Sequence, residues 1–151
     1  MPEPDCYVEG CVFCEIAAGS DRSVQVICEG DDWIAFFPLE PATKGHTLVV
    51  PRCHVADVWE LEAPLSAHLM AAVISVGRAI QAALDPQGMN LISSAGSAAE
   101  QTVFHLHLHV LPRWRKDDFD QIWSKEESPF DEADLEMVAD RIRAACTAHP
   151  N

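Results

Sequence analysis

Residues 104–111 read Phe-His-Leu-His-Leu-His-Val-Leu, with His105, His107 and His109 at every second position and leucine between them. Alternate side chains of a β-strand share a face, so the three histidines line one side and Leu106, Leu108 and Val110 the other. The leucine side reads as core, and the histidine side as a row of imidazoles roughly 7 Å apart at their backbones. One metal ion cannot readily collect all three. The outer two start about 13 Å apart, whereas zinc–nitrogen bonds of about 2 Å need donor atoms within about 3.5 Å of one another. A purely structural row would need a partner for both nitrogens of every ring. Nucleophilic catalysis uses the row: a neutral imidazole, with an ordinary pKa near about 6.5, can attack phosphorus or an acyl carbon without a separate base. A protonated neighbouring ring would stabilise the charge that develops.

Outward from this strand, 102–112, the run 89–94 (MNLISS) predicts a preceding strand, with the small polar segment AGSAAEQ as a tight connection exposing backbone amides. Residues 24–28 and 33–37 are β-rich runs around the turn Glu29-Gly30-Asp31-Asp32, a hairpin, and HTLVVP begins a further strand at His46. Residues 64–84 carry the longest helical pattern, with Leu65, Leu69, Val73, Val76, Ile80 and Leu84 on one stripe. Its other faces are mostly alanine and small apolar residues, which predicts burial on two sides, the second against another subunit or, alternatively, inside a monomer with this helix at its centre. Residues 12–18 predict a short helix ended by Gly19, and 131–148 an amphipathic helix with Leu135, Val138, Ile142 and Ala145 inward. Strands and helices mixed with hairpin-like connections predict an α+β fold with an antiparallel five-stranded sheet, a long central helix and a C-terminal helix.

The chain has 151 residues, enough for one domain: a flexible tail over 1–10 and a single unit over 11–151. A net charge of −14 argues against nucleic acid or anionic membrane as a partner. No apolar run approaches the roughly 18–20 residues of a membrane span, and residues 1–10 lack the features of a secretory signal, so the expectation is a soluble cytoplasmic protein. In that compartment the close pair Cys11 and Cys14 reads as a metal clip or a redox pair, and equally as a packed pair. Cys28, Cys53 and Cys146 read as packing residues, and Cys6 as part of the tail.

His105-Leu106-His107-Leu108-His109-Val110-Leu111 resembles the signature of the histidine triad (HIT) family, and KGHTLVVPRCH (44–54) and GCVFCEIAAG (10–19) resemble the family's other recurring blocks in the same order. The likeness covers about residues 11–123. It implies a HIT-like fold and hydrolysis or transfer of nucleotidyl groups, with a small nucleotide as substrate and a homodimer as the assembly. By position His107 resembles the nucleophile, forming a covalent nucleotidyl-histidine that water resolves. His109 resembles the histidine that contacts the phosphate, His46 the supporting histidine, and Gln101 and Thr102 the polar pair at the phosphate. Phe13, Ile16, Phe36 and Leu39 match the apolar positions around the base, and Ser94 the site of a common asparagine. Pro38 stands where an aspartate often holds the ribose, and Glu100 where a glycine often lets the backbone approach phosphate.

A subset of bacterial members carries structural zinc on a cysteine pair, a histidine after the KGH strand and the first triad histidine. Here those positions are Cys11, Cys14, His54 and His105. The resemblance therefore implies a zinc-containing nucleotide hydrolase or transferase of the phosphoramidate type. Its rivals are a dinucleoside polyphosphate hydrolase, a nucleotide-binding module with little turnover, and a zinc hydrolase using the histidine row.

Overall fold

Five antiparallel strands in the order β1-β2-β3-β5-β4 make up the sheet: β1 Val26–Glu29, β2 Trp33–Phe36, β3 Thr47–Pro51, β4 Gly88–Ser93 and β5 Leu108–Arg113. The helices are α1 Val12–Ala17, α2 Leu65–Leu84 and α3 Glu132–Ala148. This computed structural model describes residues 6–122 and 129–148, the side chains of the last two excepted. The chain divides after Phe119, with the sheet, α1 and α2 in the first unit and α3 in the second.

Period-two alternation puts each strand's residues to use on both faces of the sheet. Ala35, Val49, Leu106, Leu108 and Val110 meet Leu69, Ala72, Val73, Val76 and Ile80 of α2 in one core cluster. Ile34, Phe36, Leu48 and Val50 point the other way and pack with Phe13, Ile16 and Ala17 of α1. Buried on both faces, β3 reads as a continuous apolar run.

The strand expected over 102–112 pairs only from Leu108 onward. The reason lies in β3: Thr47 pairs with Val110 and Val49 with Leu108, so the next rung would fall on Pro51, which has no N–H to donate. Leu106 N–H donates instead to the Val55 carbonyl at 2.6 Å. Alternation nevertheless continues upstream, since Leu106 stays in the α2 cluster with Leu108 and Val110. The first hairpin strand is likewise shorter than expected, with an irregularity between Val26 and Cys28.

On α2 the expected stripe is buried at Leu69, Val73, Val76 and Ile80, whereas Met70 and Ile74 on another face are exposed. By length and composition this helix is apolar enough to cross a membrane, contrary to the expectation that no segment approaches that length. Its apolar stripe is committed to the sheet, and Arg78 stands on an exposed face of the helix. Asp131 caps the start of α3, accepting from Asp134 N–H, but Leu135, Val138 and Ile142 are exposed rather than inward. Helical spacing tells which residues share a face, not what covers it.

Gly45, immediately before His46, has φ +85°, and a Cβ there would sit 2.4 Å from Leu84 Cδ1. A side chain at 45 would displace either the turn or the end of α2.

Candidate functional site

The three histidines project from the α1 face at the start of β5, where the ring of Phe13 stands edge-on to two of them, 5.2 Å from His107 and 6.0 Å from His105 between centroids. Backbone partners assign the protons ring by ring. His107 Nδ1 lies 2.8 Å from the His105 carbonyl, which can only accept, so Nδ1 carries the proton and Nε2 keeps its lone pair. Among the described residues Nε2 has no hydrogen-bond partner.

A second relay starts at the backbone. Ala42 N–H donates to His46 Nδ1 at 3.0 Å, which places the proton of neutral His46 on Nε2. That Nε2–H donates to His109 Nδ1 at 2.9 Å, and the proton of His109 is thereby fixed on its own Nε2. His107 and His109 are neighbours, their centroids 4.9 Å apart. Burial lowers the pKa of both His107 and His46, and burial together with the nearby His107 and His46 pushes His109 down to about 4. The triad is therefore neutral at neutral pH, as a nucleophilic imidazole must be.

His105 turns to a different task. Its Nε2–H donates to the Pro51 carbonyl at 2.9 Å, leaving the Nδ1 lone pair 3.4 Å from both Cys11 Sγ and Cys14 Sγ. His54 Nδ1 is also 3.4 Å from Cys14 Sγ, and the four donor atoms lie within 4.8 Å of one another. Tetrahedral zinc with Zn–S of about 2.3 Å and Zn–N of about 2.0–2.1 Å requires sulfur–nitrogen edges of about 3.5–3.6 Å, so this cluster is already close to the size of a zinc site. Two thiolates and two imidazoles can bind a metal, and they tie α1 to the catalytic-looking strand.

The remaining expected residues divide. Gln101 is 4% exposed and fully engaged: Oε1 accepts from Gly96 N–H at 2.8 Å, and Nε2 donates to the carbonyls of Ala56 at 2.8 Å and Val103 at 3.1 Å. Both amide hydrogens are used, which leaves none for a phosphate in this arrangement. Thr102 is exposed and Ser94 half-buried on the same connection. Phe13, Ile16 and Phe36 form one cluster, whereas Leu39 is 74% exposed and stands outside it. Glu100 occupies the left-handed region, φ 64°, where glycine would fit without cost.

Several participants carry no signal in the sequence. Ala42 and Pro51 act through backbone atoms, which no side-chain pattern reveals. Cys53, expected to be a packing residue, is disulfide-bonded to Cys6 across 47 positions. Spacing alone gives no reason to pair them; only the hydrogen bond from His54 N–H to the Cys6 carbonyl, 2.8 Å, shows the two segments side by side.

The family model described as HIT domain matches residues 21–116. The crystal structure of a member of the HIT family from Bacillus subtilis superposes with a TM-score of 0.81 at 34% identity, covering 90% of this chain and 96% of that one. A zinc-bound histidine triad family protein from Mycobacterium smegmatis gives 0.66 at 31% identity, covering 93% and 98%. The adenosine 5′-monophosphoramidase hnt1 of Schizosaccharomyces pombe is 34% identical over 103 residues, 68% of this chain and 74% of that protein.

Proposed function

Since the chain belongs to the histidine triad family, we propose that it cleaves a nucleoside 5′-phosphoryl group from its leaving group, of the phosphoramidate type, through a covalent nucleotidyl-His107 intermediate. The observation that carries this reading is the tautomer of His107, whose Nδ1–H is held by the His105 carbonyl so that Nε2 is free to attack. As the Nε2–phosphorus bond forms and the bond to the leaving amine breaks, positive charge grows on the ring. The His105 carbonyl stabilises it through Nδ1–H. His109 Nε2–H, its proton fixed by the relay from Ala42 through His46, donates to a phosphoryl oxygen. The hydroxyl of Thr102, an exposed residue, assists protonation of the departing amine with a proton drawn from solvent, and the half-buried Ser94 lies on the same connection. Water then attacks phosphorus, the nitrogen–phosphorus bond breaks, and the nucleoside monophosphate leaves with His107 neutral again.

Phe13, Ile16 and Phe36, buried in the core on the α1 side, back the base site rather than line it, and Gln101 shapes the phosphate connection from behind. Cys11, Cys14, His54 and His105 hold structural zinc, a role supported by the match of their spacing to a tetrahedral site. The exposed apolar residues Met70 and Ile74 of α2, and Leu91 on the edge strand β4, support a homodimer. The net charge of −14 disfavours nucleic acid and anionic membrane as partners of a cytoplasmic protein, and a small nucleotide is drawn by the histidine row rather than by the overall field.

The decisive experiment incubates the protein with an adenosine phosphoramidate and looks for a nucleotidyl adduct by mass spectrometry. Wild type should form it and turn over, and His107→Ala should do neither. Undiminished turnover by His107→Ala would overturn the reading. A second reading, a nucleotide-binding module with little turnover, is favoured by Pro38 and by the left-handed Glu100, and tight binding without product would support it.

A further inference from the structure

The segment before the first helix is fastened onto the metal-binding cluster at every turn. Cys6 is bonded to Cys53, the residue next to His54, with the two Cα atoms 4.4 Å apart. The Cys6 carbonyl accepts from His54 N–H at 2.8 Å, and the Val8 carbonyl accepts from Cys11 N–H at 3.2 Å. Val8 N–H in turn donates to Cys14 Sγ at 3.5 Å. Residues 6–10 thus touch three of the four candidate ligands, and one covalent bond closes the arrangement. The disulfide closes a loop that contains Cys11 and Cys14 and ends beside His54, so it restrains three donors even when they hold no metal.

The same bond is accessible. Cys6 and Cys53 line an open cavity of about 600 Å³ together with Arg52, Gly30, Asp31 and Asp32. Space of that size admits a thiol reagent to the sulfurs. The ligand thiol Cys14, by contrast, is 1% exposed. Cys11 is half-buried like Cys6 and Cys53, so the contrast in access is between the disulfide and Cys14, the ligand that the pinned segment covers.

We propose that the Cys6–Cys53 disulfide is a redox latch that controls how fast the Cys11, Cys14, His54, His105 site releases zinc. In the reduced direction a dithiol supplies the electrons: one of its thiolates attacks a latch sulfur and breaks the S–S bond, and its second thiol resolves the mixed disulfide. Two electrons and two protons pass to Cys6 and Cys53, and the dithiol leaves as its own disulfide. Residues 6–10 then lose their one covalent tie to Cys53, and the ligands open to competing chelators. In a reducing cytoplasm the latch stands open, and a disulfide oxidant of the glutathione class closes it through the reverse exchange.

The inference rests on the zinc reading of the cluster and not on nucleotidyl transfer. The full-length protein is loaded with zinc, and metal content is measured first; protein that neither retains nor takes up zinc overturns the metal reading itself and the latch with it. Zinc transfer to excess chromogenic chelator is then timed for wild type oxidised in glutathione disulfide, with the Cys6–Cys53 link verified by peptide mass mapping, and for the same sample after reduction. Release should be at least tenfold faster after reduction. Cys6→Ser and Cys53→Ser should release at the reduced rate whatever the redox buffer. Equal rates for oxidised and reduced wild type, a comparison that needs no variant, would overturn the latch. So would failure of the link to form, or an equal acceleration by reductant in Cys6→Ser, which would place the effect on Cys11 and Cys14.

Discussion

Replacing Gln101 by leucine should unfold the protein more easily before it changes anything a substrate touches. The side chain is 4% exposed and makes three hydrogen bonds to three backbone segments, at Gly96, Ala56 and Val103. Leucine keeps most of the volume and removes all three. Each lost bond forfeits a net of about 0.5–1.5 kcal/mol, and backbone groups left dry cost about 1–3 kcal/mol apiece, so with partial access of water the expected loss is about 2–4 kcal/mol. For a chain of this size that corresponds to a fall in Tm of roughly 5–15 °C. Gln101→Glu is the informative companion: it still accepts from Gly96 N–H but turns an acceptor toward two carbonyls, and should cost as much or more. Urea unfolding of both variants, alongside kcat and KM for an adenosine phosphoramidate, separates the two roles open to this residue. A brace lowers stability and, by loosening the connection over 94–101, lowers kcat as well. Unchanged unfolding midpoints with only a raised KM would refute the reasoning and make Gln101 a direct phosphate contact.

Leu106→Ala should cost about 2–5 kcal/mol by urea unfolding, because Leu106 is 1% exposed in the α2-facing core although it lies outside the β5 ladder; a loss under about 1 kcal/mol would contradict that packing. Protonation should destabilise the fold in mild acid. His109 is held near about 4 and His46 is also lowered, against about 6.5 in the unfolded chain, so the unfolded state binds more protons between those values. This stability is present above about pH 6.5 and lost as pH falls toward about 4, by up to about 1.4 kcal/mol per pH unit for each group, and His109→Gln should shallow the slope by about one proton in urea titrations across that window. Removal of zinc by chelator, or Cys14→Ser, should lower the thermal midpoint while leaving any residual turnover insensitive to chelator added during the assay; immediate loss of turnover without unfolding would favour a metal-centred reaction. Leu91→Lys on the exposed edge strand should convert a dimer to monomer in light scattering, and an unchanged mass would exclude β4 from the interface.

What the chain discloses before folding depends on which atoms do the work. The alternation of 104–111 assigned its leucines to core and its histidines to one face, and it survives even where the ladder does not, because side-chain direction is a property of extended backbone rather than of pairing. The ladder's true start was hidden in another strand, at Pro51, whose missing N–H ends pairing one rung early. Burial on the outer side of α2 and along α3 was also beyond reach, since periodicity fixes a face without naming its partner. The ligand set came from the family resemblance and is brought together in space, but the Cys6–Cys53 bond had no motif to announce it.

The Pro51 interruption also explains how three similar histidines come to differ. Had pairing continued through residue 105, the Pro51 carbonyl would have been spent on the sheet. Released from it, that carbonyl takes the Nε2–H of His105 and thereby turns the Nδ1 lone pair toward Cys11 and Cys14. The His105 carbonyl, unpaired in either ladder, holds Nδ1–H of His107 and leaves the opposite nitrogen free. His109 is the first of the three to lie inside the ladder, and its tautomer has to come from elsewhere, through His46 from the Ala42 amide. A single residue that cannot donate a backbone hydrogen bond thus frees the carbonyl that sets the proton of His105, and the late start of β5 on both its edges leaves the His105 carbonyl to set that of His107.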